Sequence, residues 1–328
     1  MKRFSVLVTN HLVPEAIEQL KSRYDITENY GISVKDLEAV IGHYDVLLCR
    51  GATNVTKQVI DAASRGRLKL IVSATSGLDH IDLESAQQSG ITICHTPDAV
   101  TNANAEYNIS MIIALSRKLR QATEQVCSGA WDQQAILGDE IKGKTLGLIG
   151  FGRIGQLTAK YASVFDMNIL AYDPYVDPNI FLEHNVTSKT LESLLSESDF
   201  VILNLPRTSE TKNLITKREL ALMRSTSHLV QVSRGGIVNE EDLIDALQQG
   251  QIAGACIDVF EREPDVDPRF KKLPNVMLSP HMGCSTYESR YNAGMLALQQ
   301  INQFFAREPL LHLANYSLKP RPTALTKI

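Results

Sequence analysis

Short apolar runs alternate with amphipathic segments through the first third of the chain, and the alternation predicts strands and helices in turn. Phe4–Val8, Val46–Cys49, Leu70–Ser73 and Ile91–Cys94 read as strands. Pro14–Tyr24, Thr56–Ala63 and Leu83–Ser89 read as helices, the first with its proline near the start and the last closed by Gly90. This order predicts a parallel sheet with helices on both faces. Asn104–Cys127 then reads as one long helix. Its apolar residues, among them Ile109, Met111, Ile112, Ile113 and Leu119, lie on more than one face, so a deep core or a second subunit must cover it.

A second series follows. Thr145–Ile149, Ile169–Tyr172, Phe200–Leu203, Leu229–Val232, Ala253–Ile257 and Val276–Leu278 read as strands. Helices are predicted at Ile154–Val164, Leu191–Leu195 and Glu240–Gln249, giving a six-stranded doubly wound sheet. A last helix covers about Tyr287–Phe305, and Leu310–Ile328 is too polar and proline-rich to form a domain. The expected class is therefore α/β with two domains, residues 1–99 plus 287–328 and residues 100–286.

The first strand of the second series runs into Gly150-Phe-Gly152-Arg-Ile-Gly155 and then a helix. Gly150 permits a tight turn, Gly152 lets a pyrophosphate approach the backbone, and Gly155 allows close helix–strand packing. The helix start adds unpaired N–H groups and the positive end of its dipole. The next strand ends on Asp173, about 20 residues after the glycines, where a ribose-binding acid belongs. The flanks as well as the spacing point to a dinucleotide.

Composition narrows the class. The 328 residues are 44% hydrophobic and 21% charged with net charge −4, as expected of a soluble globular protein without a nucleic-acid footprint. Five scattered cysteines without a C-x-x-C pair predict free thiols in a reducing cytoplasm, with neither a disulfide frame nor a metal site. The apolar stretch after Met1-Lys-Arg is too short for a signal peptide, and no segment approaches the length of a membrane span.

Three later strands end on reactive side chains, and ligands of open parallel sheets bind outside the carboxyl ends of strands. Arg234 precedes two glycines and offers a planar fork suited to a carboxylate. Asp258 ends its strand and is a candidate for the carboxamide of a nicotinamide, while Glu263 precedes a proline. His281, between Pro280 and Gly283, is a general acid/base candidate. Together they suit hydride transfer to a 2-oxo acid. Arg234 would hold the carboxylate and polarise the carbonyl, His281 would move the proton, and Glu263 would favour the charged imidazole.

These residues, with Ser76-Gly-Leu-Asp79-His-Ile-Asp82, Thr96-Pro97, Leu146–Gly155, Ser233–Val238, Asp258–Pro264 and Ser279–Gly283, resemble the D-isomer-specific 2-hydroxyacid dehydrogenases. The resemblance runs from about Val46 to Thr286. It implies a flavodoxin-like substrate domain, a Rossmann domain for NAD, a cleft between them, and a homodimer built on the 104–127 helix. It assigns catalysis to Arg234, Glu263 and His281, the nicotinamide amide to Asp258, the pyrophosphate turn to Arg153 and Ile154, and the adenine to Pro206. It gives the substrate carboxylate to the N–H groups around Ser76 and Gly77. Within the family the phosphoglycerate and hydroxypyruvate/glyoxylate branches are the most similar, and Cys49-Arg50-Gly-Ala-Thr53-Asn-Val55-Thr resembles the arginine-bearing substrate loop of the phosphoglycerate enzymes, which would put Arg50 over the substrate.

Four positions depart from the family pattern. Thr75 stands where a glycine is usual, Asn204 for a histidine, Gln231 for an asparagine, and Arg207 for a leucine beside the adenosine pocket. The resemblance also implies that the regulatory domain of longer phosphoglycerate enzymes is missing. Asp173 disfavours a 2′-phosphate, which makes NAD(H) the expected cofactor unless Arg207 reaches that phosphate. Partners are thus a small 2-oxo or 2-hydroxy acid and a second copy of the chain, with no nucleic acid and no membrane. An alternative is a non-catalytic NAD(H)-sensing binding protein of the same family.

Overall fold

The structure is a computed structural model and describes residues 3–314. The chain divides into two compact units, Met1–Val100 with the segment from Ser285 onward, and Thr101–Cys284. Each is built on a parallel sheet.

The first unit contains β1 (Ser5–Val8), β2 (Asp25–Glu28), β3 (Val46–Cys49), β4 (Leu70–Ser73) and β5 (Thr92–His95). Their order is β2-β1-β3-β4-β5, the flavodoxin-like arrangement. β3 and β4 are buried at every position, because helices cover both faces of the sheet. β2 was absent from the sequence reading. It is an edge strand, Asp-Ile-Thr-Glu, with only Ile26 partly buried, so it carries no apolar run. Helix Tyr287–Ala306 joins this core through Ala293, Ala297, Leu298 and Ile301, which pack with Ile17 and Leu20.

The second unit contains β6 (Thr145–Ile149), β7 (Asn168–Tyr172), β8 (Thr187–Ser188), β9 (Phe200–Leu203), β10 (His228–Gln231), β11 (Gly254–Ile257) and β12 (Val276–Leu278). The order β12-β11-β10-β9-β6-β7-β8 is that of a doubly wound dinucleotide fold with one strand added beyond β11. The expected six strands become seven through β8, two exposed polar residues paired to β7 that no hydrophobic pattern marks.

The single helix expected over 104–127 is two, Asp98–Ser116 and Leu119–Cys127. Lys118 between them is left-handed, with φ of 50°. The cause is distant in sequence. Asp139 N–H donates to Ser116 O at 2.8 Å, and Ser116 Oγ donates to Asp139 O at 2.6 Å. The returning chain takes the carbonyl that a continuous helix would use. The second helix is tied down elsewhere, with Arg120 Nη1 donating to Leu273 O at 2.9 Å and Gln121 Nε2 to Pro274 O at 2.9 Å. No described helix is long and apolar enough to cross a membrane.

His228, at the start of β10, stacks on Phe200 with ring centroids 5.4 Å apart, and its Nδ1 has no partner among the described residues. Burial pulls its pKa down to about 4. The folded chain therefore holds it neutral while an unfolded chain protonates it near pH 6.5. Stability from this site is present above that pH and is lost as pH falls toward 4, by at most about 3 kcal/mol. Urea unfolding at pH 7, 5.5 and 4.5 should show a smaller acid-side loss for His228→Leu than for the wild type.

Candidate active site

The glycine turn meets the demands of a dinucleotide. Gly150, with φ of +94°, donates its N–H to Tyr172 O at 2.9 Å, and a Cβ there would lie 2.6 Å from Asn204 O. A Cβ on Gly155 would lie 2.5 Å from Gly150 O, so the helix can approach the turn only as glycine. Gly152 differs: a Cβ there would meet nothing within 4 Å. It caps helix Arg153–Ser163, and the N–H groups of Gly152, Ile154 and Gly155 donate to no described residue. Open space beside unpaired N–H groups at a helix start suits an incoming phosphate.

Asp173 follows β7 and is half-buried. Its Oδ2 accepts Phe151 N–H at 2.9 Å and its Oδ1 accepts Tyr175 N–H at 3.0 Å. The carboxylate is thus fastened to the glycine turn, and each oxygen keeps a lone pair for a ribose hydroxyl. Pro206 is exposed in the loop after β9. Arg207 leans over Gly236, where a Cβ would lie 3.1 Å from its Cζ. That is the β10 side of β9, whereas Asp173 follows β7 on the other flank of β6.

The candidate reacting groups follow the three adjacent strands β10, β11 and β12. His281 Nδ1 and Glu263 Oε2 are 2.8 Å apart. Glu263 Oε1 accepts Phe260 N–H at 3.0 Å, which fixes the carboxylate. An ionised carboxylate only accepts, so Nδ1 carries a proton and Nε2 is left to exchange one with a ligand. The two side chains keep 44% and 36% of their exposure. They border a cavity of about 330 Å³ walled in part by Phe260, Val266, Leu278 and Pro280.

Asp258 is fully buried. Its Oδ1 accepts Met282 N–H at 2.8 Å and Ser279 Oγ–H at 2.6 Å, and its Oδ2 accepts Gly283 N–H at 2.9 Å. Because Ser279 has given its proton to Asp258, Tyr107 donates to Ser279 Oγ at 2.6 Å. Burial raises the Tyr107 phenol well above its usual pKa, which keeps that proton in place. The side chain expected to face a nicotinamide amide therefore spends most of its capacity on the loop that carries His281. Only Oδ2 has a lone pair left for a ligand.

Arg234 is half-buried, with Nη1 donating to Ser233 O at 2.7 Å. Gln231 Nε2 donates to Arg234 O at 2.9 Å, and Ser233 Oγ donates to Gln231 Oε1 at 3.0 Å. A Cβ on Gly235 would fall 1.9 Å from Phe260 O, so the loops after β10 and β11 are in direct contact.

In the first unit, Arg50, Ser76 and Gly77 follow β3 and β4, which are neighbours in the sheet. The backbone at Arg50 is held by Asn10, whose Oδ1 accepts Arg50 N–H at 2.7 Å and Thr53 Oγ–H at 2.8 Å. Sequence reasoning missed Asn10, Tyr107 and Ser279. Each acts through another residue; Ser279 directly follows β12 and Asn10 lies two residues beyond β1, so both sit at strand ends, whereas Tyr107 lies within a helix.

The sequence matches the family described as D-isomer specific 2-hydroxyacid dehydrogenase, NAD binding domain, over residues 109–283. A hydroxypyruvate reductase of Thermotoga maritima is 38% identical, over 92% of this chain and 98% of that protein. A D-3-phosphoglycerate dehydrogenase of Synechocystis sp. is 36% identical over 94% of this chain and 56% of its own length. The chain thus spans little more than half of the phosphoglycerate dehydrogenases it matches, between 56% and 60%. The solved structure of a glyoxylate reductase from Paecilomyes thermophila aligns with TM-score 0.87 at 29% identity, covering 96% of this chain and 99% of that one.

The glycines separate two effects. Gly152→Ala should leave the melting temperature within about 2 °C of wild type but weaken NADH binding about tenfold or more, because the new methyl occupies the open approach. Gly155→Ala should lower the melting temperature by several degrees through backbone overlap. Thermal melts and NADH fluorescence titrations check both.

Proposed function

The chain belongs to the D-isomer specific 2-hydroxyacid dehydrogenase family, and from that premise we propose that it is an NAD-dependent oxidoreductase interconverting a small D-2-hydroxy acid and its 2-oxo acid. The single observation that carries the catalytic reading is the 2.8 Å contact of His281 and Glu263 on a loop whose backbone is anchored by buried Asp258. Bound NAD(H) supplies or accepts the hydride. His281, oriented through Nδ1, delivers a proton from Nε2 to the nascent alkoxide in reduction and takes it back in oxidation. The Glu263 carboxylate compensates the imidazolium charge. Arg234 pairs with the substrate carboxylate and polarises the carbonyl, while Gly150, Gly152, Arg153, Ile154, Gly155, Asp173 and Pro206 hold the cofactor. The unpaired N–H groups of Ser76 and Gly77 hold the substrate carboxylate, and Arg50 faces the rest of the substrate. The names of the relatives support substrates of the hydroxypyruvate, glyoxylate and phosphoglycerate type.

A panel of hydroxypyruvate, glyoxylate, pyruvate and phosphohydroxypyruvate with NADH, followed at 340 nm, tests the proposal. At least one should be reduced. His281→Ala should cut kcat by about 100-fold or more while the NADH Kd stays within about twofold. Tight NADH binding without turnover of any 2-oxo acid would instead favour the NAD(H)-sensing alternative.

The reading includes a homodimer and a reducing, cytoplasmic setting. All five cysteines are free, and burial pushes the thiols of Cys49, Cys94 and Cys256 up to about 12. The second half of the expected 104–127 helix supports the dimer. Helix Leu119–Cys127 buries none of its residues, and Leu119, Val126, Trp131 and Leu137 are exposed, Trp131 by 79%. Leu119 and Val126, seven positions apart, share one face of that helix, and exposed apolar side chains so placed suit a partner. Light scattering should return about twice the 36.3 kDa chain mass. Val126→Glu should halve that mass and shift emission of the lone tryptophan, Trp131, to the red. A monomeric wild type would reject this arm as the interface.

A further inference from the structure

A directed hydrogen-bond chain lies beneath the Ser76–Gly77 turn. Thr75 Oγ1 donates to Gly77 O at 2.8 Å. Its only proton is then spent, so Thr75 accepts from Ser73 Oγ at 2.7 Å. Ser73, fully buried, has likewise spent its proton and accepts from His80 Nε2 at 3.1 Å. The order of donors is fixed from His80 through Ser73 and Thr75 to the Gly77 carbonyl, and each bond polarises the next.

The neighbouring carbonyls are held as well. Ser76 O accepts His95 Nδ1 at 2.8 Å, and Thr75 O accepts Thr96 N–H at 3.0 Å. Three successive peptides, 75–76, 76–77 and 77–78, thus have their carbonyls pinned by the protein. In a trans peptide the N–H points opposite its carbonyl. The N–H groups of Ser76, Gly77 and Leu78 are therefore fixed in direction, and none donates to a described residue. Such a run of backbone donors suits a small anion.

We infer that Thr75 is a positioning residue for the substrate carboxylate, its hydroxyl holding the Gly77–Leu78 peptide so that the turn keeps its N–H groups directed and unpaired. The inference rests on the proposed role of Ser76 and Gly77. It gives a function to the one side chain of the turn that departs from the family's glycine, and it adds Leu78 N–H as a further donor.

The test uses the full chain with NADH. Steady-state kinetics are measured on the best 2-oxo acid of the panel, and oxalate binding to the NADH complex is measured by calorimetry. Thr75→Val keeps the shape and loses the donor. It should raise KM and the oxalate Kd about tenfold, with kcat within about threefold and the NADH Kd unchanged. Thr75→Ser keeps the donor and should stay within about threefold of wild type in KM. Thr75→Ala, which removes the donor with less bulk, carries the same expectation if the valine variant fails to fold. A wild-type KM in either donor-less variant overturns the inference. Failure of Thr75→Ser to restore KM overturns it too, since shape and not the hydroxyl would then matter. A wild type that neither reduces a 2-oxo acid nor binds oxalate overturns the functional reading itself, and this inference with it.

Discussion

A buried carboxylate holds His281, the proposed acid/base, in an uncommon backbone conformation. His281 has φ of 52°, in the left-handed region that non-glycine residues seldom occupy. Its N–H donates to Asp258 O at 2.8 Å, and the next two N–H groups donate to the Asp258 carboxylate. Left-handed backbone costs on the order of 1 kcal/mol. Hydrogen bonds to a charged acceptor contribute about 1.5–3 kcal/mol each, so the loop stays where the carboxylate puts it. The same bonds satisfy an ion that could not otherwise be taken out of water. Gly283 completes the fit, since a Cβ there would come within 2.8 Å of Asn104 Oδ1.

Sheet order turns this local device into a site. β10, β11 and β12 are adjacent, so Arg234, Asp258 with Glu263, and His281 emerge side by side although they span nearly fifty residues of chain. Gly235 against Phe260 O locks the first of these loops to the second, and Glu263 on Nδ1 locks the second to the third. The glycine turn, Asp173 and Pro206 follow β6, β7 and β9 on the other half of the same sheet. The groups proposed for hydride chemistry and those proposed for nucleotide binding thus lie along one row of strand ends, and the register of the strands sets their spacing.

Much of this was legible in the sequence because it rests on local signals. The apolar runs of β3, β4, β6 and β9 are buried at nearly every position, and their ends lie where the pattern stops. The glycine triplet and the strand-end residues announce themselves by spacing. What escaped depends on contacts that spacing does not encode. β2 and β8 are polar edges, and helices Val34–Val40 and Lys217–Leu220 each bury a single side chain. The break at Lys118 needs Asp139 to return to Ser116, and nothing within the helix itself foretells it. Asp258 was expected to face a nicotinamide amide, but the inward turn of its carboxylate is a tertiary fact.

The proposed preference for NAD(H) rests on two such tertiary facts. The Asp173 carboxylate, proposed to meet the ribose, is bound at both oxygens by Phe151 and Tyr175 N–H groups, so its position is fixed. A phosphate on that ribose about 4 Å from the fixed charge meets a repulsion of about 4 kcal/mol at an effective dielectric near 20, roughly a thousandfold in affinity. The sequence alone left open whether Arg207 offsets this. Its guanidinium lies against Gly236, beyond β9 from the strand that carries Asp173. That cation lies on the far flank of the glycine turn, so the proposed preference for NAD(H) rests on the same hydrogen bonds that shape the turn.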